Sequence, residues 1–151
     1  MRQQNHALIV ATRGPGLSDI TRDIVSFVQR AKIRQGILTL FLRHTSASLL
    51  IQENADQDVL RDLEDFFSRL VSRDPSLYRH STEGPDDMPA HIRAALTQVS
   101  LSIPIENGVM ALGRQSICLS TATQHTSVRS RCMLSASRDS LNASRPSPPE
   151  L

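Results

Sequence analysis

The chain has no tryptophan, a single tyrosine (Tyr78), four phenylalanines and one lysine, Lys32. With so few rings to stack on bases and a formal net charge of only +2, it lacks the basic, aromatic-studded surface that nucleic acid requires. Nucleic acid is not an expected partner. The two cysteines, Cys118 and Cys132, have neither Cys-x-x-Cys spacing nor a secretory context, so both are expected as free thiols. No apolar run approaches the roughly 20 residues needed to span a bilayer. Met1-Arg2-Gln3-Gln4-Asn5-His6 contains no hydrophobic stretch of signal-peptide length. The expectation is a cytoplasmic chain with no membrane partner. Also missing are a Walker loop, a Gly-x-Gly-x-x-Gly turn after a strand, a Gly-x-Ser-x-Gly elbow and a His-Glu-x-x-His helix, which removes the commonest nucleotide, hydrolase and zinc-protease signatures.

What remains is a chain of 151 residues, long enough for one domain with a real core. Residues 7–12 read as a strand, punctuated by Gly14-Pro15-Gly16. Ser18 or Asp19 then caps a helix carrying Ile20, Ile24, Val25, Val28 and Ala31 at helical spacing. After Gly36, the continuous apolar run Ile37–Leu42 suggests a strand buried on both faces. Leu49-Leu50-Ile51 resumes the apolar pattern. The clearest helix follows, over about 55–71, with Val59, Leu60, Leu63, Phe66, Phe67, Leu70 and Val71 forming one broad face. Residues 72–87, rich in Asp, Pro, Ser and Gly, read as a long loop, and a loop this long inside a compact domain is usually functional or mobile. A short helix from Met88 to about Thr97 comes next, then a strand at Leu101–Ile105. Asn107-Gly108 predicts a type I′ hairpin into Val109–Leu112.

Three places could carry chemistry. His44 ends a strand and is followed by the small residues Thr45-Ser46-Ala47-Ser48, which let a ligand approach the backbone beside an imidazole. The competing reading is a polar strand end with hydroxyls completing a turn. Asn54, Asp56 and Asp58 open the long helix. Carboxylates there can hold a hard cation, but Asn54 followed by Gln57 resembles a capping box, and first-turn acids suit the helix dipole, so capping is the favoured role. In Glu83-Gly84-Pro85-Asp86-Asp87-Met88-Pro89-Ala90-His91, Asp87 as N-cap places His91 four residues on, along the same side of the helix. Such a pair can share a metal, or the carboxylate can orient the ring. The same spacing also fits a capped surface helix with an incidental histidine. Tyr78, Arg79 and His80 read as solvated loop residues.

Taken together, His44-Thr45-Ser46-Ala47-Ser48-Leu49, Glu53-Asn54-Ala55-Asp56 and Glu83–Ile92 closely resemble the YjbQ-like family, whose members are often described as secondary thiamine-phosphate synthases. The resemblance runs from the N-terminus to about Gly113. It implies an α+β fold of two packed antiparallel sheets with flanking helices, assembled as a homotrimer. It also implies a divalent-metal pocket in which His44, Asp87 and His91 are the catalytic and metal-binding residues, with Ser46, Asn54, Asp56 and Asp86 on the substrate side. The implied activity joins a pyrimidine pyrophosphate to a thiazole phosphate, releasing pyrophosphate. Metal-dependent hydrolysis of a phosphorylated metabolite, or non-catalytic ligand binding by a trimeric module, would use the same residues.

Beyond Gly113 the chain departs from the family pattern. Family members continue through Thr-Trp-Gln-Gly-Ile to a strand ending in Glu-His-Arg; here Arg114-Gln115-Ser116-Ile117 follows, without tryptophan. The histidine expected at the position of Ala122 is absent, and His125 lies three residues late. Residues 120–151 are rich in Ser, Arg and Pro with scattered apolar residues. Composition therefore predicts a domain over 1–119, missing its last strand, and an irregular, disordered tail over 120–151. A shift of reading frame near 114–120 would account for both features.

Overall fold

Two alternating runs, Leu38-Leu40-Leu42 and Leu101-Ile103-Ile105, lie at the centre of the molecule, each residue at most 6% exposed. They belong to strands β3 (Gly36–Leu42) and β5 (Ser100–Glu106), which pair antiparallel with Leu38 opposite Ile103 and Leu40 opposite Leu101. The computed structural model describes residues 2–12, 14–53, 56–121 and 127–136, the last stretch by its backbone.

The fold is α+β, with two antiparallel sheets sharing one core. Strands β1 (Arg2–Ala11), β8 (Ser127–Ala136), β3, β5 and β6 (Val109–Met110) form a five-stranded sheet in that order. Strands β2 (Gly16–Asp19), β7 (Gln115–Thr121) and β4 (Ala47–Glu53) form a three-stranded one. Between them pack Leu38, Leu40, Ile103 and Ile105 from the first sheet and Ala47, Leu49, Ile117 and Leu119 from the second, joined by Ile24, Phe27, Val28 and Ala31 of helix α1 (Thr21–Ala31). His6 of β1 stacks on Phe27, ring centroids 5.2 Å apart. Helix α2 (Gln57–Leu70) meets β2, and helix α3 (Asp87–Leu96) packs on β4, so both cover the outer side of the smaller sheet. No helix among the described residues is long and apolar enough to cross a membrane.

Several expectations need correction. The run Ile37–Leu42 is not buried on both faces: Ile37 and Phe41 are 44% and 47% exposed, and burial alternates. The strand is apolar on both sides, but no described helix covers the outer face of the five-stranded sheet. Ser18 and Asp19 lie in β2 rather than capping from a loop; Asp19 nevertheless accepts a 2.8 Å bond from the Thr21 N–H at the start of α1. The cap of α2 is Asp56, whose Oδ1 accepts from the Asp58 N–H at 2.9 Å. Asn54, expected there, lies outside the described residues. The Asn107-Gly108 turn is as predicted, with φ of 53° and 84°, both in the region a type I′ hairpin demands.

The largest correction concerns the tail. Residues 127–136 are strand β8, inserted between β1 and β3 with Cys132 opposite both His6 and Leu40. A boundary at 119 therefore falls inside β7 of the smaller sheet and separates β8 from the larger one, and the last strand is present. Scattered apolar residues look too few when counted alone, but a central strand is hydrogen-bonded along both edges, and its neighbours supply much of the apolar contact. The expectations for Ala122, His125 and the stretch 137–151 lie outside the described residues. Cys118 is a free, buried thiol, its pKa pushed up to about 11 by burial and then by the neighbouring Asp19 carboxylate.

Candidate functional site

The polar cluster sits where the loop after α2 returns to the smaller sheet. Tyr78 fixes that loop by donating its hydroxyl to the Ser72 carbonyl at 2.7 Å, below a short 3-10 turn at Pro75–Leu77. Two residues later His80 emerges, and its Nε2 lies 2.8 Å from Asp87 Oδ2. Asp86 occupies the N-cap position of α3 and Asp87 is its first helical residue, so the helix starts one place earlier than the sequence suggested. The four-residue helical offset survives that shift, so His91 Nε2 lies 3.1 Å from the same Asp87 Oδ2. The other carboxylate oxygen, Oδ1, accepts from the Ser46 hydroxyl at 3.2 Å. The two imidazoles meet edge to face, 5.7 Å between centroids.

Asp87 is 7% exposed, whereas the His80 and His91 side chains are 39% and 34% exposed. The carboxylate is thus the buried floor of the site and the rings form its rim. Burial alone opposes ionisation of Asp87, but the His80 contact, the His91 charge and the Ser46 hydroxyl together outweigh it, holding the carboxyl below the usual carboxylate range. A carboxylate kept ionised in a nearly dry position, with two imidazole nitrogens beside it, is a donor set suited to a first-row divalent cation. One ligand atom from each of His80, Asp87 and His91 lies within 4.8 Å of the others, so these are the three described residues that could hold a metal ion together.

His44 is half-buried and tied to this site indirectly. Its Nδ1 accepts from the Ser46 N–H at 3.0 Å, and Ser46 in turn holds Asp87. The structure thus brings together Asp87, His91 and Ser46 from the sequence-based set, with His44 one residue removed along the hydrogen-bond chain. Asp56 is spent on the α2 cap, and Asp86 lies beside the site at the helix entrance. His80, read from sequence as a solvated loop residue, is the member that was missed. Its signal was faint: a histidine seven residues before Asp87 has no fixed geometry until the loop between them folds back.

The profile of the family described as UPF0047 protein YjbQ-like matches residues 6–136. The chain belongs to the YjbQ-like family. That match passes through β8, well beyond Gly113, where the motif resemblance stops. Among YjbQ-like relatives, a UPF0047 protein of Synechocystis is 55% identical over 74% of this chain and 76% of its own length. The UPF0047 protein YjbQ of Escherichia coli O157:H7 is 37% identical over 70% of this chain and 77% of its own. Among solved structures, a conserved hypothetical protein of Thermus thermophilus superimposes with a TM-score of 0.76 at 30% identity, covering 84% of this chain and 97% of that one. A YjbQ/UPF0047 family protein of Clostridium acetobutylicum gives a TM-score of 0.75 at 27% identity, covering 87% and 99%.

Proposed function

We propose that this YjbQ-like chain is a metal-dependent enzyme acting on a phosphorylated small molecule, a transferase of the thiamine-phosphate synthase type, with its centre at His80, Asp87 and His91. The observation that carries this reading is the convergence of two imidazole nitrogens and one buried carboxylate oxygen within 4.8 Å. Those three residues would hold the ion. A divalent cation bound there would neutralise the negative charge that develops as pyrophosphate departs. Asp87 fixes the orientation of both rings through one oxygen and is itself fixed by Ser46 through the other. His44, next in that chain, is the group assigned to proton movement, and Asp86 at the start of α3 is assigned to the substrate side. Because the ligating nitrogens must be unprotonated, affinity for the ion should rise with pH. Assembly as a homotrimer belongs to the same reading; Ile9, Ile37 and Phe41, exposed on the uncovered sheet face, supply apolar surface for it.

The test is a titration with cobalt(II) followed by single-turnover incubation of the loaded protein. One set of reactions contains the pyrimidine pyrophosphate and thiazole phosphate, the other a panel of phosphate esters. Expected are one ion per chain, thiamine phosphate in the first set, and loss of both in His91→Ala and His80→Ala. Turnover of esters alone would replace the transferase reading by a hydrolase. Binding without turnover would leave a ligand-binding module.

A further inference from the structure

We propose that Arg93 is a positioning residue for the metal centre, acting as a brace that locks the middle of α3 to α2. This rests on the reading of His80, Asp87 and His91 as that centre.

Helix α3 is held at three places. At its start the Ser46 hydroxyl grips Asp87. Just past its end, Gln98 and Leu49 exchange backbone bonds, the Leu49 N–H donating to the Gln98 carbonyl at 2.6 Å. Between these anchors stands Arg93, two residues beyond His91 and only 3% exposed. Its Nη1 donates to Glu64 Oε1 at 2.7 Å and its Nη2 to the Ser68 hydroxyl at 3.1 Å. Its guanidinium carbon lies 5.9 Å from the centroid of the Phe67 ring. Glu64, Phe67 and Ser68 occupy positions i, i+3 and i+4 of α2 and so share one face of that helix.

A buried charge of this kind is a poor device for stability alone, since an apolar pair of similar volume commonly does as well. Here the cost is visible: Glu64 Oε2 is buried with no partner among the described residues. What the arrangement supplies that an apolar pair would not is direction. Two separate nitrogens of one planar group reach two separate acceptors, which fixes both the distance and the rotation of α3 relative to α2. Rotation of α3 is the variable to which the site is most sensitive. Asp87 and His91 both project from that helix, whereas His80 comes from the loop that follows α2. A small turn of α3 would carry two ligands away from the third. Arg93 ties α3 to the helix from which the His80 loop departs, so it fixes the two ligand-bearing segments against each other.

The experiment compares Arg93→Met, Arg93→Lys and a control, Ile103→Ala, that destabilises the core between the sheets without touching α3. Cobalt(II) affinity and visible spectrum are read beside the thermal midpoint, together with the nuclear Overhauser contact between the His80 and His91 rings in metal-free protein. Expected is about tenfold weaker binding and an altered spectrum in Arg93→Met, the size typical when a group supporting a metal ligand is lost. Arg93→Lys, which keeps the charge but cannot reach both acceptors, should fall between, and Ile103→Ala should bind as the wild type despite its lower midpoint. Wild-type affinity in Arg93→Met, or equal weakening in Ile103→Ala, would overturn the inference. Should Arg93→Met fail to fold, Arg93→Lys decides by the same criteria. If the wild type bound no cobalt, the metal reading would fall. The brace would still be judged by the ring contact, whose persistence in the Arg93 variants would sink it.

Discussion

Helices α1 and α2 are both strongly amphipathic, yet they do different work. In α1 the apolar stripe is consumed: Ile24, Phe27, Val28 and Ala31 are each at most 4% exposed and lie in the common core of the two sheets. In α2 a stripe of similar width buries only Phe67, while Phe66 and Leu70 remain 51% and 55% exposed. The polar residues Glu64 and Ser68 beside Phe67 are instead used to hold Arg93. Amphipathic spacing thus says that a helix has a face, not what meets it. One helix completes the core, and the other is a cover that steadies the candidate site.

That contrast can be broken most forcefully at Ile24. Truncation to alanine deep in the inter-sheet core should cost about 2–5 kcal/mol, read as a drop in urea midpoint at unchanged slope. If Ile24→Ala proved as mild as a surface change, α1 would not be a core helix.

A smaller, pH-gated effect is expected at Asp87. Its carboxyl titrates below the ordinary 3.8 in the folded protein, so the ionised form is held more tightly folded than unfolded. The stability this contributes is fully present above the ordinary value and is lost as pH falls through the lowered one. The gap in urea midpoint between wild type and Asp87→Asn should therefore be widest near neutrality and close as pH falls below 3.8. A gap that stayed constant in acid would show that the contacts of Asp87 do not depend on its charge.

The cap of α2 sharpens the comparison from the polar side. Asp56→Ala should cost about 1 kcal/mol, the usual value of a lost N-cap acceptor. The smallest change is expected on the exposed stripe, where Leu70→Ala should alter the monomer's stability by no more than about 0.5 kcal/mol. A larger loss that grew with protein concentration would mean that this stripe is covered in an assembly.

The local chemistry of this chain was legible wherever neighbours in sequence are neighbours in space. The Asn107-Gly108 turn follows from two residues that tolerate positive φ. The pairing of Asp87 with His91 follows from a helical offset of four, even though the cap itself fell one residue earlier. His80 was illegible for the opposite reason: its place depends on a loop closed by Tyr78 and Ser72, and no period of two or 3.6 records that closure. Strand β8 was illegible because a central strand is stabilised by the two strands beside it, and these are the distant β1 and β3.

By itself, then, the sequence determined the helical faces, the hairpin and the four-residue offset of Asp87 and His91, since each is fixed by dihedral preference or by a short repeat. Only the tertiary structure decided that Ile37 and Phe41 stay uncovered, that Ser127–Ala136 fills the larger sheet, and that His80 joins Asp87 while Arg93 reaches Glu64. These last depend on which surfaces meet after the chain has turned back on itself. They are set by backbone pairing and by the cost of leaving a buried charge alone, neither of which has a period along the chain.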